Sequence, residues 1–261
     1  MKKVFLIIGI LVGLIVLSPF LLLGVYALDF VYYGANEPKA EKAALEYLKE
    51  KYGGQFEIDD VEYTKILGDD EGDFTLQIHP LANAEMTITV NVSENYQVTE
   101  DNYKEENWGE QFKKEMLPPV AAIFQDAGKI YAYGSFPEEI GEKYRFEDSY
   151  QTIYNENPLQ SFERIHVVNF AEPFEKEKEL QKIYELWELV KDRQFKNNNI
   201  EINYYPKELY GKLAASPSDI NQFENEYRDK MFYFCRFSHE EEHEKTVTSP
   251  EDIEGFCREL K

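Results

Sequence analysis

The chain has 261 residues, 43% of them apolar, with 19 Tyr and 18 Phe, which is enough to build packed cores and to exclude a disordered chain despite 30% charged residues. Its net charge is −22; Lys2 and Lys3 against Asp29 make the first 36 residues +1, so the remainder carries −23. A body that acidic is repelled by phosphate backbones, which argues against nucleic acid as a partner and for a protein or a cationic peptide.

Residues 4–28 read VFLIIGILVGLIVLSPFLLLGVYAL, 25 positions without a charge. As a helix the run is about 37 Å long, more than the roughly 30 Å hydrocarbon core requires. A signal peptide cleaved after Ala27 is the alternative reading, with Val25-Tyr26-Ala27 as its small-residue site. Signal peptides have apolar runs of about 7–15 residues, so an uncleaved membrane anchor is the preferred expectation. Lys2 and Lys3 precede the run and Asp29, Glu37, Lys39, Glu41 and Lys42 follow it. That asymmetry places the amino terminus in the cytoplasm and residues 30–261 outside a single-pass cell membrane. Tyr26, Tyr32 and Tyr33 fit an aromatic belt at the outer interface.

After the linker Gly34 to Pro38, Ala40, Ala44, Tyr47 and Leu48 form one helical face, and Gly53-Gly54 ends it. Phe56 to Ile66 reads as a strand whose phase slips at Asp59-Asp60, the mark of a bulge. Phe74, Leu76 and Ile78, then Met86, Ile88, Val90 and Val92, alternate with polar residues as half-buried antiparallel strands. GDDEGD between the first two strands, residues 68–73, is shorter than a calcium loop and reads as a turn. A helix with Tyr103, Trp108, Phe112 and Met116 on one face follows, broken or kinked at Pro118-Pro119, and Lys129 to Phe136 is another strand.

These elements predict an α+β fold: a transmembrane helix, then two small units with antiparallel sheets and helices packed on one face. The expected boundaries are 1–36 for anchor and linker, 37–135 for the first unit and 136–261 for a second, α/β-type unit. The order of elements, with ALEYLKEKYGGQFEIDDVEY and TEDNYKEENWGEQFKKEM, resembles small extracytoplasmic PepSY-like or cystatin-like domains of Gram-positive bacteria. Those domains occur in uncharacterised membrane-anchored proteins and lipoproteins. The resemblance spans about residues 37–135, and it implies an envelope location and a regulatory or inhibitory binding role.

In the second unit, Phe162 to Phe170 reads as a strand with Ile165 and Val167 on one face and Arg164 and His166 on the other. A helix opening at Glu172-Pro173 buries Leu180, Ile183, Tyr184, Trp187 and Val190, and IEINYYP is a short strand. Ser216 and Ser249 each begin a Ser-Pro-x-Asp capping sequence. Met231 to Ser238 is the most apolar strand of this half. Tyr204, Tyr205 and Tyr210 are candidates for a recognition surface, with core packing as their commoner use. Cys235 and Cys257 are either a disulfide pair, expected outside the cytoplasm, or two buried thiols.

One run names a chemistry. His239-Glu240-Glu241-Glu242-His243 satisfies H-E-x-x-H, with His239 and His243 as zinc ligands and Glu240 as general base. No apolar residue between Ser238 and Lys245 could seat such a helix against a core. The third ligand would have to come from Glu254 or Glu259. His79 and His166 are lone histidines, and no phosphate loop or nucleophile elbow is present. The expectation is therefore a non-enzymatic binding or regulatory protein of the cell envelope without a cofactor, with a membrane-anchored zinc metallohydrolase as the alternative.

Overall fold

The computed structural model describes residues 23, 24, 27, 28, 31–66, 71–193, 199–215, 220–238 and 247–260. Among them no helix is long and apolar enough to cross a membrane. Most of the expected anchor, residues 4–28, lies outside the described residues. The chain divides into two compact units, Met1–Tyr103 and Lys104–Lys261.

In unit 1, helix α1 (Glu37–Tyr52) buries Ala40, Ala44 and Leu48 completely. It stops at Gly53 and Gly54, whose φ angles of 72° and 82° suit glycine. The sheet runs β1 (Phe56–Thr64), β2 (Asp73–Pro80), β3 (Ile88–Ser93) and β4 (Val98–Asp101), in that spatial order and antiparallel throughout. The alternating residues Phe74, Leu76, Ile78, Ile88, Val90 and Val92 are fully buried, each worth about 1.5–3 kcal/mol in transfer from water. The register of β1 slips between Ile58 and Asp60, so Phe56, Ile58, Val61 and Tyr63 all reach the same core.

Two carboxylates tie this unit together. Asp101 Oδ2 accepts from Tyr47 Oη at 2.7 Å and Lys51 Nζ at 2.8 Å, and Oδ1 accepts from Tyr52 Oη at 2.8 Å. Glu94 accepts from Tyr33, Tyr63, Lys65 and the Gly72 amide. A Cβ at Gly72 would lie 2.7 Å from the Thr64 carbonyl oxygen, so only glycine brings that amide to Glu94. Tyr33, one of the three tyrosines expected in an interfacial belt, stacks on Tyr63 with ring centroids 4.9 Å apart.

Unit 2 is built on a five-stranded sheet of order β5 (Ala127–Ser135), β6 (Phe162–Phe170), β7 (Asn199–Tyr205), β8 (Tyr233–Ser238) and β9 (Cys257–Glu259). Two expectations change here. The boundary falls at 103/104 and not at 135/136, because the strand at Lys129 to Phe136 pairs with β6, which lies downstream. The sheet is mixed, since β6 and β7 run parallel while the other pairs are antiparallel. Helix α2 (Tyr103–Ile123) carries Pro118 and Pro119 inside its last turns without ending there. Its buried Trp108, Phe112, Met116 and Val120 recur every four residues and hold it to the core on both sides of the prolines.

The short helices α3 (Glu138–Gly141) and α4 (Tyr150–Glu156) follow β5, and α5 (Lys176–Val190) joins β6 to β7. The Glu172-Pro173 bond is cis, and α5 begins three residues beyond that proline. After β7 come α6 (Tyr210–Ala215) and α7 (Ile220–Tyr227), and α8 (Pro250–Ile253) precedes β9. Ser249 and Asp252 form the expected capping box of α8, whereas Ser216 lies outside the described residues. Cys235 and Cys257 face each other in the β8–β9 register and form a disulfide, with Cα atoms 4.0 Å apart.

Helices cover both faces of this sheet, not one. On one face α2, α4 and α5 bury Ile165, Val167, Ile202 and Tyr204. On the other, Leu213 of α6 and Phe223 of α7 cover Val168, Phe170 and Tyr205. That cover buries His166, which alternation placed on a polar face, to 1% exposure.

Candidate functional site

The parallel pair β6–β7 decides where a cleft can form. After β6 the chain turns to α5 on one face of the sheet; after β7 it turns to α6 and α7 on the opposite face. Connections that leave adjacent parallel strands in opposite directions open a crevice at the strands' carboxyl ends, where ligands of open α/β sheets bind. A cleft of about 580 Å³ occupies that place, lined by the end of β6, Lys207 and Tyr210 beyond β7, the start of α5 and the residues leading into β5. The volume is within the range of small-molecule sites.

The floor is polar and closed by a single network. Asn169, at the end of β6, and Glu179, one turn into α5, are 2% and 6% exposed. Glu179 Oε2 accepts from the Tyr204 hydroxyl at 3.0 Å and from Asn169 Nδ2 at 3.4 Å, and Oε1 accepts from Lys182 Nζ at 2.9 Å. Asn169 Oδ1 accepts from the Phe170 amide at 3.0 Å. Burial, followed by the neighbouring Glu179 charge, drives the Tyr204 phenol far above its ordinary pKa, so it stays a donor. The mouth carries Lys178, Lys207, Asp126, Glu172 and Glu175, with Tyr210 standing edge-on to Phe170 at 5.5 Å.

The residues singled out from the sequence fall elsewhere. His239, Glu240 and His243 lie outside the described residues. Glu254 and Glu259, considered as a third zinc ligand, both accept from Lys176 Nζ, at 2.6 and 3.4 Å. Among the described residues no group of three or more His, Cys, Asp and Glu side chains is placed to hold a metal ion. His79 pairs with Asp59 at 2.9 Å near the surface.

His166 meets a carboxylate: its Nε2 lies 3.0 Å from Glu224 Oε1, which also accepts from Asn203 Nδ2 at 2.6 Å. Burial opposes ionisation of Glu224, but the His166 and Asn203 hydrogen bonds outweigh it and hold the carboxyl below its usual range. The pair joins α7 to the sheet, with His166 buried and Glu224 partly exposed. Of the three tyrosines considered for recognition, Tyr204 and Tyr205 are core, at 0% and 1% exposure, and Tyr210 alone is exposed.

Asn169, Glu179 and Lys182 belong to no motif, so pattern reading passed over them. The one signal available was an asparagine near the end of an otherwise apolar strand, VVNF, followed ten residues later by a glutamate on the buried face of the next helix.

No known family model matches the sequence, and no curated protein matches it. The crystal structure of a DUF5037 family protein from Ruminococcus gnavus ATCC 29149, solved at 2.55 Å, is similar to this chain with a TM-score of 0.53. The two are 17% identical over 82% of this chain and 96% of that one, and at that identity the likeness is one of fold alone.

Proposed function

We propose that this is a membrane-anchored binding protein of the cell envelope, with residues 4–28 as the anchor, residues 30–261 outside, and a small polar ligand held in the cleft of unit 2. The observation that carries the binding role is the cleft at the carboxyl ends of β6 and β7, with its buried Asn169–Glu179–Tyr204 floor. Both oxygens of Glu179 already accept from protein donors, an arrangement that fixes a shape more than it poises a carboxylate for proton transfer. The envelope placement rests on the 25-residue uncharged run and the lysines before it.

Two measurements test the two halves of this reading. A membrane-impermeant thiol reagent should label a Glu147→Cys variant on whole cells, Glu147 being exposed in unit 2; labelling only after lysis refutes the topology. For binding, differential hydrogen exchange on the full chain against a small-molecule panel should protect residues 169–182 and 205–210. Protection confined to other segments refutes the site.

A further inference from the structure

The charges at the cleft mouth specify what it takes. Glu175, Lys178, Glu179 and Lys182 recur at i, i+3, i+4 and i+7 along α5, so one helix wall presents alternating signs to the cavity. Glu179 and Lys182 satisfy each other at 2.9 Å. The remaining rim charges do not: among the described residues, no side chain forms an ion pair with Lys178, Lys207, Asp126, Glu172 or Glu175. Cations and anions thus line one 580 Å³ space without joining.

An anion alone would meet Lys178 and Lys207 but also three free carboxylates; a cation alone would meet the reverse. An apolar ligand would cover the rim charges without pairing any of them. A ligand bearing both charges satisfies both sets. We propose that the cleft binds a small zwitterion, a free amino acid or a short peptide with both termini unblocked. Its carboxylate lies toward Lys178 and Lys207, and its ammonium toward Asp126, Glu172 and Glu175. This rests on the cleft being the ligand site.

The test is calorimetric titration of the full chain in detergent micelles with the standard free amino acids and L-alanyl-L-alanine. The expected result is saturable binding of at least one of them. Its N-acetyl and C-amide derivatives should bind about tenfold more weakly or worse, the worth of one charge-assisted hydrogen bond. The Lys178→Gln/Lys207→Gln double variant should lose affinity to the same extent while its tryptophan emission and unfolding midpoint stay unchanged. Equal binding of the blocked derivatives, or no binding of any zwitterion, overturns the proposal. A parallel titration with inorganic phosphate, citrate and neutral fragments separates the two levels. If one of these binds and protects residues 169–182 from exchange while the zwitterions do not bind, the ligand class is wrong and the cleft reading survives. If neither set binds, both fail.

Discussion

Replacing Glu179 by alanine tests whether the cleft floor is one coupled network. The Tyr204 hydroxyl, on a side chain with 0% exposure, would lose its acceptor and become a buried unsatisfied donor, at a cost of about 1–3 kcal/mol. Lys182, with 17% of its side chain exposed at the cleft, can turn to water, so its loss adds no more than about 1 kcal/mol. Glu179→Ala should therefore destabilise unit 2 by about 1–4 kcal/mol. Tyr204→Phe removes the donor and leaves Glu179 with two others, so it should cost about 1–2 kcal/mol. Once the donor is gone there is nothing left to orphan, and the double variant should fall short of the sum by about 1–2 kcal/mol.

The assay is urea unfolding followed by tryptophan emission. The chain has two tryptophans, Trp108 and Trp187, and both lie in the unit 2 core, so the signal reports that unit even if unit 1 unfolds separately. A cost below about 1 kcal/mol for Glu179→Ala, or strict additivity in the cycle, would refute the coupled floor.

Removal of the disulfide is the second perturbation. The bond spans 22 residues, and in the chain-entropy account Cys235→Ser/Cys257→Ser should lower unit 2 stability by about 3 kcal/mol, read by the same emission; an unchanged midpoint contradicts it. The third concerns acid. Burial opposes ionisation of Asp101, but the hydrogen bonds from Lys51, Tyr47 and Tyr52 prevail and hold its carboxyl below the ordinary range. A depressed folded pKa contributes stability that is present above the unfolded value of about 3.9 and is lost as pH falls through the folded value. Asp101→Asn should therefore speed exchange of β3 amides at neutral pH, and its difference from wild type should shrink below about pH 4. A difference that stays constant with pH counts against the Asp101 linkage.

Unit 1 was legible because its sheet is half-buried: Phe74–Ile78 and Ile88–Val92 alternate cleanly, and the bulge at Asp59-Asp60 showed as a phase slip. Unit 2 was less so, for reasons that concern pairing and cover. Neither the Trp108 helix nor the strand at Lys129 carries a mark of the downstream elements it packs with, so both read as part of the first unit. His166 looked exposed because Arg164 and His166 alternate with Ile165 and Val167. Glu224, the carboxylate that meets it, arrives on a helix more than fifty residues later. The same long-range folding hides the cleft, since opposite crossovers after β6 and β7 bring together Asn169, Glu179 and Lys207 without a common spacing. The zinc pattern at His239, Glu240 and His243 lies outside the described residues, just beyond the apolar strand that ends at Ser238.

The most direct test of the central claim is hydrogen exchange on the full chain with the tightest-binding zwitterion of the panel, beside the same experiment on Lys178→Gln/Lys207→Gln. The cleft account predicts slowed exchange at residues 169–182 and 205–210 in the wild type and clearly less of it in the variant at the same subsaturating ligand concentration. Equal protection in both proteins, or protection that avoids these segments, would contradict it.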